Sequence, residues 1–284
     1  MKRLILLTHC PDKKGIIAAV TNFIHQRNGN IVYIDQYVDR IQGAFFMRIE
    51  VEGDFDLSNF EKFKTTFKKE LGEPFQMSCS FYLADVLPKM AVFVSKYDHC
   101  LYDILAQQSS GKLACTIPFI ISNHKDLEPI AKQFNIPFYH IAVSKDNKEE
   151  TETKQLELLK KYEVNCIVLA RYMQIVSSRI IDVYPSKIIN IHHSFLPAFP
   201  GAKPYHSAFQ RGVKIIGATS HYVTEELDAG PIIEQDIIRV SHGHEVKDFI
   251  LKGQDLERIV LLRALKLHCE RKIMTYNNKT IVFN

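Results

Sequence analysis

The feature that most constrains this chain of 284 residues is a change of rhythm near residue 85. Before it, apolar positions alternate or recur at helical spacing in short segments; after it, nearly unbroken apolar strands are separated by helical patterns. The spacing predicts a strand over 3–8, a helix over 15–27 with Ile16, Ile17, Val20 and Ile24 on one face, and a strand over 30–38. Ile41-Gln42-Gly43 offers a turn, and Phe45, Met47, Ile49 and Val51 alternate with Phe46, Arg48 and Glu50 as a half-buried strand requires. A helix over 57–71 and a strand over 76–83 complete a βαββαβ order.

That order predicts a ferredoxin-like module over residues 1–84. A connector at 85–89 leads to apolar strands expected over 90–94, 117–121, 138–143, 165–169 and 187–191. Helical patterns lie between them, such as Leu101, Ile104 and Leu105, or Leu156, Leu158, Leu159 and Tyr162. Such a succession indicates a mostly parallel sheet covered on both faces. Residues 90–284 are therefore read as a Rossmann-like α/β domain, in which ligands bind outside the carboxyl ends of the strands.

Composition narrows the function. The 36 basic and 32 acidic residues are spread along the chain with no concentrated basic block, which argues against a nucleic-acid partner. No stretch approaches the roughly 18 to 20 apolar residues of a membrane span, and the apolar run at 4–7 is too short for a secretory signal. Cys10, Cys79, Cys100, Cys115, Cys166 and Cys269 are far apart and mostly within apolar segments, as in a reducing compartment. The expected location is the cytoplasm.

The chemistry concentrates in Ile189-Asn190-Ile191-His192-His193-Ser194-Phe195-Leu196-Pro197-Ala198-Phe199-Pro200-Gly201, answered by Leu227-Asp228-Ala229-Gly230-Pro231. Asn190 and His192 are two apart at the end of a strand, so their side chains project to the same side. Asp228 follows a strand expected over 214–224, and the two loops can close around one cavity. An amide, an imidazole and a carboxylate together polarise a carbonyl, move a proton and hold a water. Each has an ordinary alternative as a local hydrogen bonder or turn residue, and the residues alone reach as far as acyl or carbonyl chemistry.

The pattern Asn-Ile-His-x-Ser-x-Leu-Pro-x-Phe-x-Gly followed by Asp-Ala-Gly resembles the folate-dependent formyltransferase family. The resemblance extends over about 90–271, including Ile121-Ser122-Asn123 and Leu169-Ala170-Arg171-Tyr172-Met173-Gln174-Ile175. With His193 where the transferases commonly have proline, and with Gly201-Ala202-Lys203-Pro204-Tyr205-His206 following, this version is similar to the formyltetrahydrofolate deformylases. Cys10-Pro11-Asp12-Lys13-Lys14-Gly15-Ile16 and the stretch 40–53 are similar to an ACT domain, which those deformylases carry.

The resemblance implies hydrolysis of 10-formyltetrahydrofolate to formate and tetrahydrofolate, supplying formate for purine synthesis and balancing the one-carbon pool. It implies Asn190, His192 and Asp228 as the catalytic residues. Substrate contacts fall at Arg171, Tyr172, Met173, Gln174, Ile175, Leu196, Glu225 and Glu226, with His206 and His221 supporting the site. The folate is a substrate and no cofactor is expected. The ACT-like part implies a homo-oligomer and a small amino-acid effector, methionine or glycine, near Asp12, Gly15 and Asn30.

One departure separates transfer from hydrolysis. The glycinamide ribonucleotide transformylases open with a Gly-Ser-rich loop after their first strand, whose amides receive a phosphate. Here the matching stretch, Ser95-Lys96-Tyr97-Asp98-His99-Cys100-Leu101, has no glycine, which fits water better than a phosphate-bearing acceptor. A formyltransferase acting on an amine remains the alternative.

Two further readings stand beside it. His192, His193, His206 and His221 suggest a zinc hydrolase, but there is no His-Glu-x-x-His helix, and adjacent His192 and His193 should face opposite sides of a strand. An RNA-binding module shares the βαββαβ order, but the place for its basic-Gly-aromatic pattern reads Gln42-Gly43-Ala44-Phe45. A non-catalytic amino-acid sensor is the reading left if no turnover is found.

Overall fold

The structure, a computed structural model, describes residues 2–55, 57–144, 146–198 and 204–283. Phe199, Pro200, Gly201, Ala202 and Lys203 of the motif loop lie outside the described residues. The chain divides into two compact units. One is Met1–Leu87 with Arg271–Met274 and Ile281–Asn284; the other is Pro88–Glu270 with Thr275–Thr280. Residues 90–284 are expected as one domain, whereas the tail is shared between the two units, and within the first of them Phe283 N–H bonds back to the Lys272 carbonyl.

The first unit runs β1 (Lys2–Pro11), α1 (Ile16–His25), β2 (Asn30–Asp39), β3 (Ala44–Gly53), α2 (Leu57–Phe67), a π-helical turn at Lys68–Gly72, α3 (Glu73–Phe75) and β4 (Ser78–Leu83). Its antiparallel sheet has the order β2-β3-β1-β4, the ferredoxin-like arrangement. One face of β1 and β3 packs Leu4, Leu6, Met47, Ile49 and Val51 against Val20, Phe23, Phe63 and Phe67. Phe46 and Arg48, expected on the solvated face of β3, are buried as well. Arg48 donates to Glu50 at 2.7 Å and to the Arg271 carbonyl at 2.9 Å, so the returning tail covers that face.

The three residues expected around an effector do not converge. Pro11, just before Asp12, pairs with Ala44, whereas Asn30 pairs with Glu52. Eight residues of β3 (52 minus 44) separate those registers, roughly 27 Å at about 3.4 Å per residue. Within one copy Asn30 is therefore at the opposite end of the sheet from Asp12 and Gly15. Gly15 takes φ +90 as the residue preceding α1, a backbone state that glycine tolerates without strain.

The second unit runs β5 (Met90–Val94), α4 (His99–Ser109), β6 (Ile120–Ser122), α5 (Glu128–Gln133), β7 (Phe138–His140), α6 (Lys148–Lys161), β8 (Cys166–Leu169), α7 (Ser178–Ile181), β9 (Ile188–His192), α8 (Pro204–Arg211), β10 (Ile215–Tyr222), β11 (Ile232–Arg239) and α9 (Val246–Cys269). A hairpin, β12 (Ile273–Tyr276) and β13 (Lys279–Val282), ends the chain. The large sheet has the order β11-β10-β9-β8-β5-β6-β7, with β7 through β9 parallel and β10 and β11 antiparallel.

Met90–Val94 is buried throughout, as a strand covered on both faces must be. The chain steps outward from β5 through β6 to β7, then returns to the other side of β5 with β8. That reversal makes a crevice beyond β5 and β8, where open α/β sheets take their ligands. α9 runs for 24 residues and begins with a reciprocal capping box between Glu245 and Asp248.

Candidate active site

The site grows from the ends of β9 and β10. Asn190 and His192 point to the same side of β9, as their spacing predicts, and β10 lies antiparallel with His221 opposite Asn190 and Thr219 opposite His192. Asn190 Nδ2 is 3.2 Å from His221 Nε2. His221 Nδ1 is 2.9 Å from the Tyr222 carbonyl oxygen, which can only accept, so Nδ1 carries the proton and Nε2 accepts from the amide of Asn190.

Asp228 arrives from the loop between β10 and β11. It stands in left-handed backbone at φ +56, and Gly230 behind it passes so close to β10 that an added Cβ would lie 1.8 Å from the Tyr222 carbonyl oxygen. Tyr222 N–H bonds the Pro231 carbonyl, and Asn278, in the turn of the C-terminal hairpin, donates to the Ala229 carbonyl at 2.9 Å. Asp-Ala-Gly-Pro is thus a loop fitted against one strand.

This loop brings Asp228 Oδ2 to 3.2 Å from His192 Nδ1 and Oδ1 to 3.6 Å from His221 Nε2. The hydrogen bond from His192 Nδ1, with the His221 ring beside it, holds the Asp228 carboxyl far below the usual carboxylate range despite its partial burial. An ionised acid at Nδ1 fixes a proton there and makes Nε2 the nitrogen available for proton transfer. His192 Nε2 is buried and has no hydrogen-bond partner among the described residues.

These groups line a cavity of about 330 Å³ with Arg171, Tyr172, Met173, Gln174, Ile175, Val223, Glu225 and Leu227. Met173 and Ile175 are exposed at its wall, whereas Tyr172 turns inward: its hydroxyl accepts from Gln155 at 3.1 Å and its ring meets Phe93 edge-on. Burial pushes the Tyr172 phenol up to about 12.

Four expectations need correction. Leu196 does not line this cavity but a neighbouring one, where it joins Asp228, Asn278 and Thr280; its N–H donates to Thr219 Oγ1, turning it that way. Glu226 lines neither cavity, and His206 is exposed on α8. His192 and His193 do not face opposite sides: β9 ends at His192, alternation stops there, and both rings reach the cavity with centroids 5.1 Å apart.

A second polar cluster lies beyond β5 and β8. Ser95 Oγ donates to Asn123 at 2.7 Å and accepts the Met173 N–H at 3.0 Å, fastening the loops after β5, β6 and β8 together. Glu257 of α9, fully buried, accepts from Tyr205 at 2.6 Å, pairs with His99 Nε2 at 2.8 Å and has Arg171 Nε at 3.5 Å. The sequence reading missed Glu257; the available signal was an acid on the apolar face of α9, four residues from both Gly253 and Leu261. His99, Cys100 and Glu257 have metal-ligand types close together, but Arg171 already supplies the positive charge and burial pushes the Cys100 thiol well up, keeping it protonated.

Comparison with known proteins matches the formyl transferase family model over residues 88–265 and the ACT domain model over 4–62. The formyltetrahydrofolate deformylase of Synechocystis sp. is 52% identical, with 98% of this chain and 97% of that protein covered. The crystal structure of a formyltetrahydrofolate deformylase from Pseudomonas syringae pv. tomato superposes with a TM-score of 0.95 at 42% identity, covering 100% of this chain and 95% of that one. Glycinamide ribonucleotide transformylase 1 from Symbiobacterium toebii matches at a TM-score of 0.66 and 27% identity, covering 72% of this chain and 97% of that one. Identity of this order over nearly the whole length of both chains means that the chain belongs to the formyltetrahydrofolate deformylase family.

Proposed function

We propose that this protein hydrolyses 10-formyltetrahydrofolate to formate and tetrahydrofolate, with His192 as the general base. The observation that carries the role of His192 is its buried, unpartnered Nε2 beside a carboxylate that fixes the opposite nitrogen as the donor. Asp228 is a poor proton acceptor because its own acidity is so strongly increased; it orients His192 and stabilises the imidazolium that forms, as the acid of a catalytic triad does.

Water attacks the formyl carbon and gives its proton to His192 Nε2. The carbonyl oxygen becomes an oxyanion, for which the Asn190 amide provides an N–H while its other N–H stays on His221. Collapse breaks the bond between the formyl carbon and N10, which takes the proton from His192. The apolar wall of Met173 and Ile175 suits the folate ring, and Glu225 supplies a polar group beside it. No step calls for a metal, so turnover is expected to survive a strong chelator. For the ACT domain the reading is self-association and an amino-acid effector, methionine or glycine, at the turn that holds Asp12 and Gly15.

The test is incubation of the purified protein with 10-formyltetrahydrofolate alone and measurement of formate. Release without an acceptor supports hydrolysis; release only after glycinamide ribonucleotide is added overturns it.

A further inference from the structure

Resting on the hydrolase reading, we infer that the buried network of Tyr205, Glu257, His99 and Arg171 reserves the formyl carbon for water by filling the crevice through which an amine acceptor would approach. The transformylase match shows that this fold does not by itself choose hydrolysis. Something in the chain must keep an amine away.

The crevice beyond β5 and β8 is where an open sheet with this strand order receives ligands. Here it is closed from below and filled from above. Ser95 knots the three loops at its base, and its own 3% exposure leaves no passage at that point. Above it, Tyr205, His99 and Arg171 converge on the Glu257 carboxylate. Burial alone would raise Glu257, but the His99 hydrogen bond, Arg171 and Tyr205 outweigh it and hold the group ionised.

The guanidinium of Arg171 therefore has its counter-charge inside the protein, and its Nε and Nη1 are buried. That guanidinium is therefore committed to Glu257 rather than open to an acceptor's phosphate. α9 is shaped for the plug: at Gly253 a Cβ would stand 2.1 Å from the Tyr205 hydroxyl. His193 is the partition, since it lines the reaction cavity and sets its ring 5.9 Å from that of Tyr205. Removing the phenol or the His99 ring would join the crevice to the cavity.

An admitted amine would attack the formyl carbon with its nitrogen lone pair. The bond to N10 breaks, the amine nitrogen loses a proton and N10 gains one, giving an N-formyl amine and tetrahydrofolate. The experiment supplies full-length wild type, His99→Ala, Tyr205→Ala and Tyr205→Phe with 10-formyltetrahydrofolate labelled with carbon-13 in the formyl group. Excess glycinamide is present, and formate and N-formylglycinamide are counted by NMR.

The ratio of N-formylglycinamide to formate should rise by about tenfold or more in His99→Ala and Tyr205→Ala. It should stay at the wild-type value in Tyr205→Phe, which keeps the ring. An unchanged ratio in His99→Ala, or a rise in Tyr205→Phe equal to that in Tyr205→Ala, overturns the inference. If Tyr205→Ala does not fold, His99→Ala decides. A wild type that makes no formate without an amine speaks against the hydrolase reading, whereas an unchanged ratio with normal formate release speaks against the plug alone.

Discussion

Asp228 holds two imidazoles with one carboxylate: Oδ2 is 3.2 Å from His192 Nδ1 and Oδ1 is 3.6 Å from His221 Nε2. Replacing it by Asn keeps the shape and removes the charge that fixes the His192 tautomer. The expected result for Asp228→Asn is a fall in kcat of about 10³–10⁴-fold with folding retained. Formate release followed under substrate saturation checks it, and near-normal turnover would remove Asp228 from the mechanism.

Asn190 contributes through its second amide proton, because the first is committed to His221. Asn190→Ala should lower kcat by about 10²–10³-fold, the usual loss for one oxyanion donor. KM should change far less, since the developing charge exists only on the way to product. A variant whose defect lies in KM alone would mean that this amide binds the ground state.

Stability should depend on acid through Asp228 and Glu257. Asp228 is held down by the hydrogen bond from His192 and by the His221 ring beside it; Glu257 is held down because His99, Arg171 and Tyr205 outweigh the opposing effect of burial. Each depressed group stabilises the fold fully above the unfolded carboxylate range, about pH 4 to 4.5, and loses that contribution as pH falls towards its folded value. The melting temperature should therefore drop between pH 7 and pH 3.5. Glu257→Gln should start lower at pH 7 and drop less, and an equal drop in both proteins would contradict the assignment.

Gly230→Ala should cripple the enzyme without touching a reacting group. Its methyl would meet the Tyr222 carbonyl oxygen at 1.8 Å, so the loop must move and take Asp228 with it. A loss of about 1–3 kcal/mol in stability is expected, together with a lower kcat. Gly243→Ala, whose nearest neighbour is Ser241 Oγ at 3.9 Å, is the control and should match wild type in denaturant titration and turnover.

Much of this was legible in the residues. Strand alternation put Asn190 and His192 on one side, and an uninterrupted apolar run gave Met90–Val94 its limits. What escaped depends on distance along the chain. Glu257 gains its meaning from Tyr205, 52 residues earlier, and from His99, 158 residues earlier. β11, an edge strand, escaped because Glu234, Asp236 and Arg239 interrupt its apolar pattern. The effector residues were grouped by family likeness, and only strand register reveals that Asn30 lies at the far end of the sheet.

The bond from Asn278 to the Ala229 carbonyl, with that from Thr280 to the Ile232 carbonyl at 2.6 Å, turns the final hairpin into a crossbeam for the stretch that carries Asp228. Trimming the chain behind α9 would leave the Formyl transferase match at 88–265 intact and still unmoor the acid. Such a shortened enzyme would look whole by homology and work poorly.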